Sequence, residues 1–588
     1  MAGTLVNGAP AQATPSVTKA PVAVGRGGAA STVDLDATRV AIDVLRHGGN
    51  AVDAAVAAAA TLGVTEPFSS GLGGGGFFVF YDARTGKVHT IDGREAAPAS
   101  MQETAFVDPA TGLPYQFQEA RMSGISVGVP GTPQTWQTAL RKWGTISLRN
   151  ALRPAVKIAE QGFVVDQTFA GQINDNLAAF SQFSPTSALY LPDGKLPAVG
   201  STFRNPDLAG TYRLLSKQGM GAFYRGELAA DIVRTVQHPP VVAKPPVAWT
   251  YPIRPGTLRT SDLAGYDVRT PRPTHMRYRG FDVFGMPTPS SGGSTVGEGL
   301  NIVENWDLGD LSRTQALHRY LEASALAFAD RNRYVGDNTP RALLDELLSQ
   351  RFARERACQI DPAHALAKPV APGEPDGMYG AQCPGAAPAS VRTNERGTTN
   401  LTIADRWGNV VEYTLTIEQI GGNAMVVPGR GFLLNNELTD FNFTPTQGTA
   451  PDPNLPAPGK RPRSSMAPTI LLRHGKPFLA TGSPGGSMII TTVFQILVNR
   501  IDLGMTLPEA IAAPRASQRN TATVVAEPAF LAARPEVAEL MALGHTFSTM
   551  AEIGAATGVE FRHDGQVLAA AEPVRRGGGS AAVVKPAQ

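Results

Sequence analysis

The chain has 588 residues, 42% hydrophobic and 17% charged, with 52 basic and 50 acidic side chains and a net charge of +2. That much apolar material builds a large core and excludes a disordered tail. The balanced charge excludes the basic footprint of a nucleic-acid binder, and no run of 18 apolar residues predicts a transmembrane helix.

Residues 1–30 read as a disordered leader, rich in Ala, Pro and Thr and lacking the apolar stretch of a signal peptide. Such a composition often trails a removed signal, so a secreted or periplasmic location is expected, with the cytoplasm as the alternative. The stretch STVDLDATRVAIDVLRHGG predicts an amphipathic helix with Ala37, Val40, Ala41, Val44 and Leu45 on one face, ended by Gly48 and Gly49. Asn50 is placed to cap a second, alanine-rich helix that carries Asp53 in its first turn and closes at Gly63. A glycine loop and a β-hairpin turning through Asp82 to Gly86 follow. The loop, Gly71 to Gly76, matches GxGxxG, but a strand follows it where a dinucleotide site needs a helix. Close approach of backbone to backbone is the expected role.

Mixed helices and loops occupy roughly 100–350. Residues from about 358 to 397 are rich in Pro, Gly and Ala and read as a mobile linker. The only cysteines, Cys358 and Cys383, fall in it and allow one disulfide, two unpaired thiols being the alternative. Without a CxxC partner they do not make a metal site. From 398 onward strands are expected at 398–405, 410–417, 431–435, 468–474 and 476–481. Helices follow near 487–501 and 507–512, then a hairpin turning at Asp564-Gly565. The change at 398 is the sharpest boundary in the chain.

The hairpin that begins there carries the chemistry. Folding 398–405 against 410–417 places Thr398 opposite residues 416–418, and a period of two puts Thr414, Thr416 and Glu418 on one face. Thr398, Thr416 and Glu418 thus meet at a strand end, either as an ordinary polar edge or as a site. A threonine hydroxyl is a poor nucleophile without an adjacent base, and its own α-amine, with a pKa near 7.7, is one such base. That role requires cleavage between Gly397 and Thr398. The segment TGSPGGS, 481–487, lies between a strand and a helix, where the backbone N–H groups of Gly485 and Gly486 can receive an oxyanion. No P-loop, zincin or nucleophile-elbow signature occurs.

At these residues the chain resembles the γ-glutamyltranspeptidase family of N-terminal-nucleophile hydrolases. The matching stretches are GGNAVDAAVAAA, TEPFSSGLGGGGF, DGREAAP, GVPGT, PSSGG, GTTNLTIADRWGNVV, GFLLNNELTDF, KRPRSSMAPTI and TGSPGGS, spread over about 31–580. The resemblance implies an α/β (α+β) fold, a four-layer αββα sandwich built from one precursor that cleaves itself. The large subunit would be 31–397 after the leader and the small one 398–588, the two remaining associated. It makes Thr398 the nucleophile, Thr416 its supporting hydroxyl, and Gly485 and Gly486 the oxyanion-hole residues. Arg94 with Ser464 and Ser465 would clamp the substrate α-carboxylate, and Glu437 and Asp440 would receive the α-ammonium. No metal or organic cofactor is implied. The partners are small-molecule γ-glutamyl donors of the glutathione type and amino acid or peptide acceptors.

Two departures stand out: Asn400 where the pattern reads TTH, and Glu418 where bacterial members commonly carry asparagine. The Pro-rich 441–460 segment suggests a short cover over the pocket. The expected activity is γ-glutamyl transfer and hydrolysis. A cephalosporin (glutaryl) acylase of the same family and an unprocessed binding relative are the alternatives.

Overall fold

The computed structural model describes residues 19–379 and 397–587. Twelve strands form one antiparallel sheet: β1 (Val22–Thr32), β2 (Gly75–Asp82), β3 (Lys87–Gly93), β4 (Thr274–Tyr278), β5 (Phe281–Gly285), β6 (Thr399–Asp405), β7 (Val410–Thr416), β8 (Thr469–Arg473), β9 (Lys476–Gly482), β10 (Thr557–Phe561), β11 (Val567–Ala571) and β12 (Ser580–Pro586). Their order is β3-β2-β7-β6-β1-β11-β10-β9-β8-β5-β4, with β12 also paired to β1. The sheet curls until its two halves face each other, β7 against β9 and β6 against β10.

Helices cover both outer faces. On one lie α1 (Leu35–Arg46), α2 (Ala51–Thr65), α3 (Thr132–Trp143) and α4 (Leu148–Gln161); on the other, α5 (Gly292–Val303), α6 (Arg313–Tyr334) and α7 (Met488–Ile501). The result is the expected four-layer αββα arrangement. The strand period shows in β2, where Phe78 and Phe80 enter one core while Phe77, Val79 and Tyr81 enter the other. With both faces covered, the whole strand is buried.

Local signals account for many element ends. Asn50 and Asp53 form a reciprocal capping box at the start of α2. All fifteen residues of that helix are buried, and it runs through Gly63 to Thr65. Complete burial outweighs the glycine's cost of about 1 kcal/mol. On α1 the buried face is Ala37, Thr38, Ala41, Ile42 and Leu45, so Val40 and Val44 lie at its margin. In the glycine loop a Cβ on Gly73 or Gly74 would lie 2.0 Å from a backbone carbonyl, that of Leu433 or Thr416. The close backbone contact expected there is present.

Three expectations need correction. Residues 22–30 are not a leader: they belong to β1, which pairs with β6, β11 and β12 at the centre of the sheet. Its small residues Ala29 and Ala30 are fully buried, which is why the segment lacks the bulky apolar signature of a strand. The proposed linker is anchored over its first half. Lys368 is ion-paired with Glu322, and Val370 exchanges backbone hydrogen bonds with the Asn520 side chain. Cys358 is disulfide-bonded; Cys383 and the rest of the linker as far as 396 lie outside the described residues. Finally, 431–435 makes only isolated bridges, at Leu433 and Leu434, because Gly431 turns the chain (φ 73°) and the Asn435 side chain is spent on backbone groups of Gly73 and Gly128.

Candidate active site

The hairpin β6–β7 has the register that the sequence suggests, with Thr399 opposite Leu415 and Asn400 opposite Thr414. Its turn is locked by Asp405, whose carboxylate accepts the backbone N–H groups of Trp407 and Asn409. At the open end the Thr398 hydroxyl donates to the Thr416 hydroxyl at 3.2 Å, and the Thr416 oxygen also accepts the Glu418 N–H at 2.8 Å. Thr398 and Glu418 both have left-handed backbones, with φ of 95° and 74°. For a β-branched residue such a φ is an outlier, at a cost of roughly 1–3 kcal/mol.

The Gly397 carbonyl oxygen, on the peptide bond expected to break, accepts the Gly485 N–H at 3.3 Å. A Cβ at 397 would lie 1.5 Å from the Glu418 carbonyl oxygen, so glycine is obligatory at this position. Gly485 and Gly486 both have positive φ in the turn between β9 and α7. One small pocket is lined by Arg94, Gly397, Thr398, Thr416, Glu418, Glu437, Asp440, Ser464, Ser465 and Gly486, with Met466 and Ile489. The structure therefore gathers Gly397 and the candidate nucleophile, oxyanion and head-group residues of this lining, with Gly485 joined through its contact with Gly397.

Inside the pocket these side chains are engaged by protein partners. Arg94, buried to 1% exposure, is ion-paired through its two Nη atoms with Glu437 and Asp440. It also donates to the carbonyls of Pro462 and Arg463. Ser464 and Ser465 do not bond to it. The Ser465 hydroxyl accepts from Arg331 of α6 at 2.7 Å, and the Ser464 hydroxyl caps the Met466 N–H. Arg331 also donates to Ser291 at 2.8 Å, so the PSSGG stretch helps to hold this wall. Glu418 accepts from Asn436 and Gln419. The 441–460 segment folds down beside the pocket: Asn454 bonds to the Asp440 carbonyl, and Phe443 stacks on Phe106.

Three further residues bear on the site and escaped the sequence reading. Arg576 donates to the Thr398 carbonyl at 2.6 Å while its other Nη holds Ser69 and Glu66. Arg331 holds Ser291 and Ser465. Glu95 is fully buried, neither of its oxygens has a partner among the described residues, and burial raises its carboxyl to about 8 despite the adjacent Arg94. Only Glu95 was within reach of the sequence, as the neighbour of Arg94 in DGREAAP. Away from the pocket, His318, Glu322 and His545 cluster closely enough to bind a cation, but the Lys368 ammonium already contacts both Glu322 oxygens. The two imidazoles there bond to each other at 2.8 Å.

A four-layer αββα sandwich whose facing sheets carry a threonine at the head of a central strand is the architecture of the N-terminal-nucleophile hydrolases. Residues 37–582 match the family model for gamma-glutamyltranspeptidase. The chain belongs to the γ-glutamyltranspeptidase family. It is 36% identical over 551 residues to the glutathione hydrolase proenzyme of Bacillus subtilis (strain 168), covering 92% of this chain and 89% of that protein. The acylase ACY 1 proenzyme of Pseudomonas sp. (strain SE83) is 32% identical over 545 residues, covering 91% and 90% of the two chains. Among solved structures, the cephalosporin acylase from Bacillus halodurans superposes with a TM-score of 0.80 at 27% identity, over 97% of this chain and 98% of that one. Among the described residues no helix is long and apolar enough to cross a membrane.

Proposed function

We propose that this chain is a self-cleaving γ-glutamyl hydrolase and transferase that uses Thr398 as its nucleophile. The observation that carries this reading is the pairing of the Thr398 hydroxyl with Thr416 beside a Gly397 carbonyl already bonded to the Gly485 N–H. In cleavage, the Thr398 oxygen bonds to the Gly397 carbonyl carbon and the peptide C–N bond breaks. The hydroxyl proton ends on the released α-amine, and water then hydrolyses the ester. Cleavage frees Thr398 from one side of its strained backbone. The new α-amine serves as the base that takes the hydroxyl proton when Thr398 attacks a γ-glutamyl carbonyl. Gly485 and Gly486 then face the developing oxyanion.

Arg94, Glu437 and Asp440 receive the amino-acid head group. Glu437 and Asp440 line the pocket beside Arg94, and Glu437 Oε2 has no hydrogen-bond partner among the described residues. Such a site suits an α-ammonium. The large and small subunits stay together because their strands interleave in one sheet. The disulfide at Cys358 supports export to an oxidising compartment.

Similarity to acylases over nearly the whole chain favours a second reading, in which the acyl group is glutaryl and lacks the ammonium. Comparing kcat/KM for a γ-glutamyl anilide and a glutaryl anilide separates the two, and equal values would refute the ammonium site. On denaturing gels the wild-type 61.8 kDa chain should give bands of about 42 and 20 kDa, as division at residue 397 requires. Thr398→Ala should stay whole; two clean bands from that variant would move the nucleophile elsewhere.

A further inference from the structure

Between the facing halves of the sheet, directly beneath the pocket, lies a polar cluster with no access to solvent. Asn400, Thr402, Glu412, Thr414 and Thr557 are all fully buried. Asn400 Nδ2 donates to Glu412 Oε1 at 2.5 Å and to the Thr557 hydroxyl at 2.8 Å, while its Oδ1 accepts from Thr414 at 2.6 Å. The hydroxyls of Thr402 and Thr557 lie 3.0 Å apart. Opposite stands Gly482, the last residue of β9. A Cβ there would lie 2.4 Å from Glu412 Oε1 and 2.6 Å from Asn400 Oδ1.

Each member of this cluster is a short step from the chemistry. Asn400 is two residues from Thr398, Thr414 is two from Thr416, and Gly482 is three from Gly485. Thr557 is the cross-strand partner of Gly482. The cluster therefore fills the gap between the hairpin bearing Thr398 and Thr416 and the strand that delivers the Gly485-Gly486 turn. An apolar filler would pack there without fixing direction, whereas hydrogen bonds fix both spacing and register. A charge in this place would be costly, and burial raises the Glu412 carboxyl to about 8, against hydrogen bonds from Asn400 and Thr402. Held as the neutral acid, it spans the gap without an uncompensated ion.

We propose that Asn400 and Glu412 are positioning residues, a buried polar spacer that sets the distance between the nucleophile hairpin and the oxyanion turn. This rests on the reading of Thr398 as nucleophile. It also gives a role to the asparagine that stands where the family pattern has histidine: Asn400 is the partner that Glu412 requires.

The test uses the full chain with Asn400→Ala, Glu412→Ala, the double variant, Glu412→Gln and Thr398→Ala. Readouts are the half-time of self-cleavage, kcat and KM for a γ-glutamyl anilide, and Tm. Each alanine should lower kcat and slow cleavage roughly 10- to 100-fold, as expected of a displacement near 1 Å. KM should stay within about twofold, because the head-group pocket is untouched. The double variant should be no worse than the worse single one, since the pair acts as a unit. Glu412→Gln, which keeps the acceptor oxygen, should recover most of the loss. It should also remove a fall in kcat above about pH 8, where the acid ionises against Asn400, Thr402 and Gly482, none of them titratable.

Alanine variants that lose Tm but keep kcat and cleavage rate within about twofold of wild type would overturn the proposal. Should they not fold, Thr557→Val provides the decision at the far end of the network, and an unchanged kcat there would overturn it equally. An active Thr398→Ala would instead sink the nucleophile reading, a result distinct from either.

Discussion

Arg94 illustrates how much one side chain carries. It reaches two carboxylates and two carbonyls at once, which only a planar guanidinium with five donors can do. Lysine in its place offers a single ammonium and cannot hold Glu437 and Asp440 through separate Nη atoms as the guanidinium does. Arg94→Lys should therefore lower kcat/KM for a γ-glutamyl anilide about 10- to 100-fold, from the loss of one or two charged hydrogen bonds. A value within twofold of wild type, roughly, would remove Arg94 from the head-group site. At Gly397 the steric case is firmer still, because a methyl group would overlap the Glu418 carbonyl. Gly397→Ala should displace the Gly397 carbonyl from the Gly485 N–H and, on the proposed self-cleavage, accumulate the uncleaved chain on denaturing gels. Cleavage at the wild-type rate would mean that the contact does not govern processing. The residues of both tests were legible in short motifs, but their partners were not. Arg94 and Glu437 are 343 positions apart, and nothing in either motif marks them as an ion pair.

The hairpin β6–β7 matters as a unit, since it presents Thr398 and Thr416 side by side. Its far end is fixed by Asp405, which binds its own turn and also accepts the Ala51 N–H at the start of α2 at 2.9 Å. One side chain thus joins the hairpin bearing Thr416 to the buried helix behind it. Asp405→Ala should cost about 2 kcal/mol or more in denaturant unfolding, as the loss of its hydrogen bonds from the Ala51, Trp407 and Asn409 N–H groups implies. Self-cleavage should still proceed, because the open end of the hairpin keeps its contacts with Arg576 and Gly485. An unchanged midpoint would show that the turn is held by other means. At this scale the sequence was a good guide: alternation and turn residues located the hairpin and its register. It misjudged β1 and 431–435. In the first, small residues hide a central strand; in the second, an apolar run serves as a packed loop.

Across the whole molecule, strands from before and after residue 397 alternate in the sheet. β6 and β7 lie between β2 and β1, while β8 to β11 lie between β1 and β5. A cut at 397 leaves every one of these pairings in place, so cleaved material should elute as a single species until denatured. The buried acids set a pH dependence. Glu95 and Glu412 hold their protons up to about 8 rather than the ordinary 4.5, so the folded state binds protons that the unfolded chain has released. Their contribution therefore makes stability fall as pH rises from about 4.5 to about 8 and level off above, each by an amount on the order of a few kcal/mol. Glu95→Gln removes one such group, so its Tm should decline less than that of wild type between pH 5 and 8. Parallel Tm curves would show that Glu95 does not titrate in this window.

Sequence alone determined the hairpin at the site and its register, and motif resemblance named residues that line one pocket, Arg94, Thr398, Thr416, Glu437 and Asp440 among them. Those features reside in local periodicity, turn chemistry and contiguous motifs. Tertiary structure decided who partners whom. It paired Arg94 with the two acids. It brought Arg331 to Ser465 and Arg576 to Thr398. It also buried Asn400 against Glu412 between the sheets. Such contacts depend on how a curled twelve-stranded sheet closes on itself, and closure joins positions hundreds of residues apart that no local pattern relates.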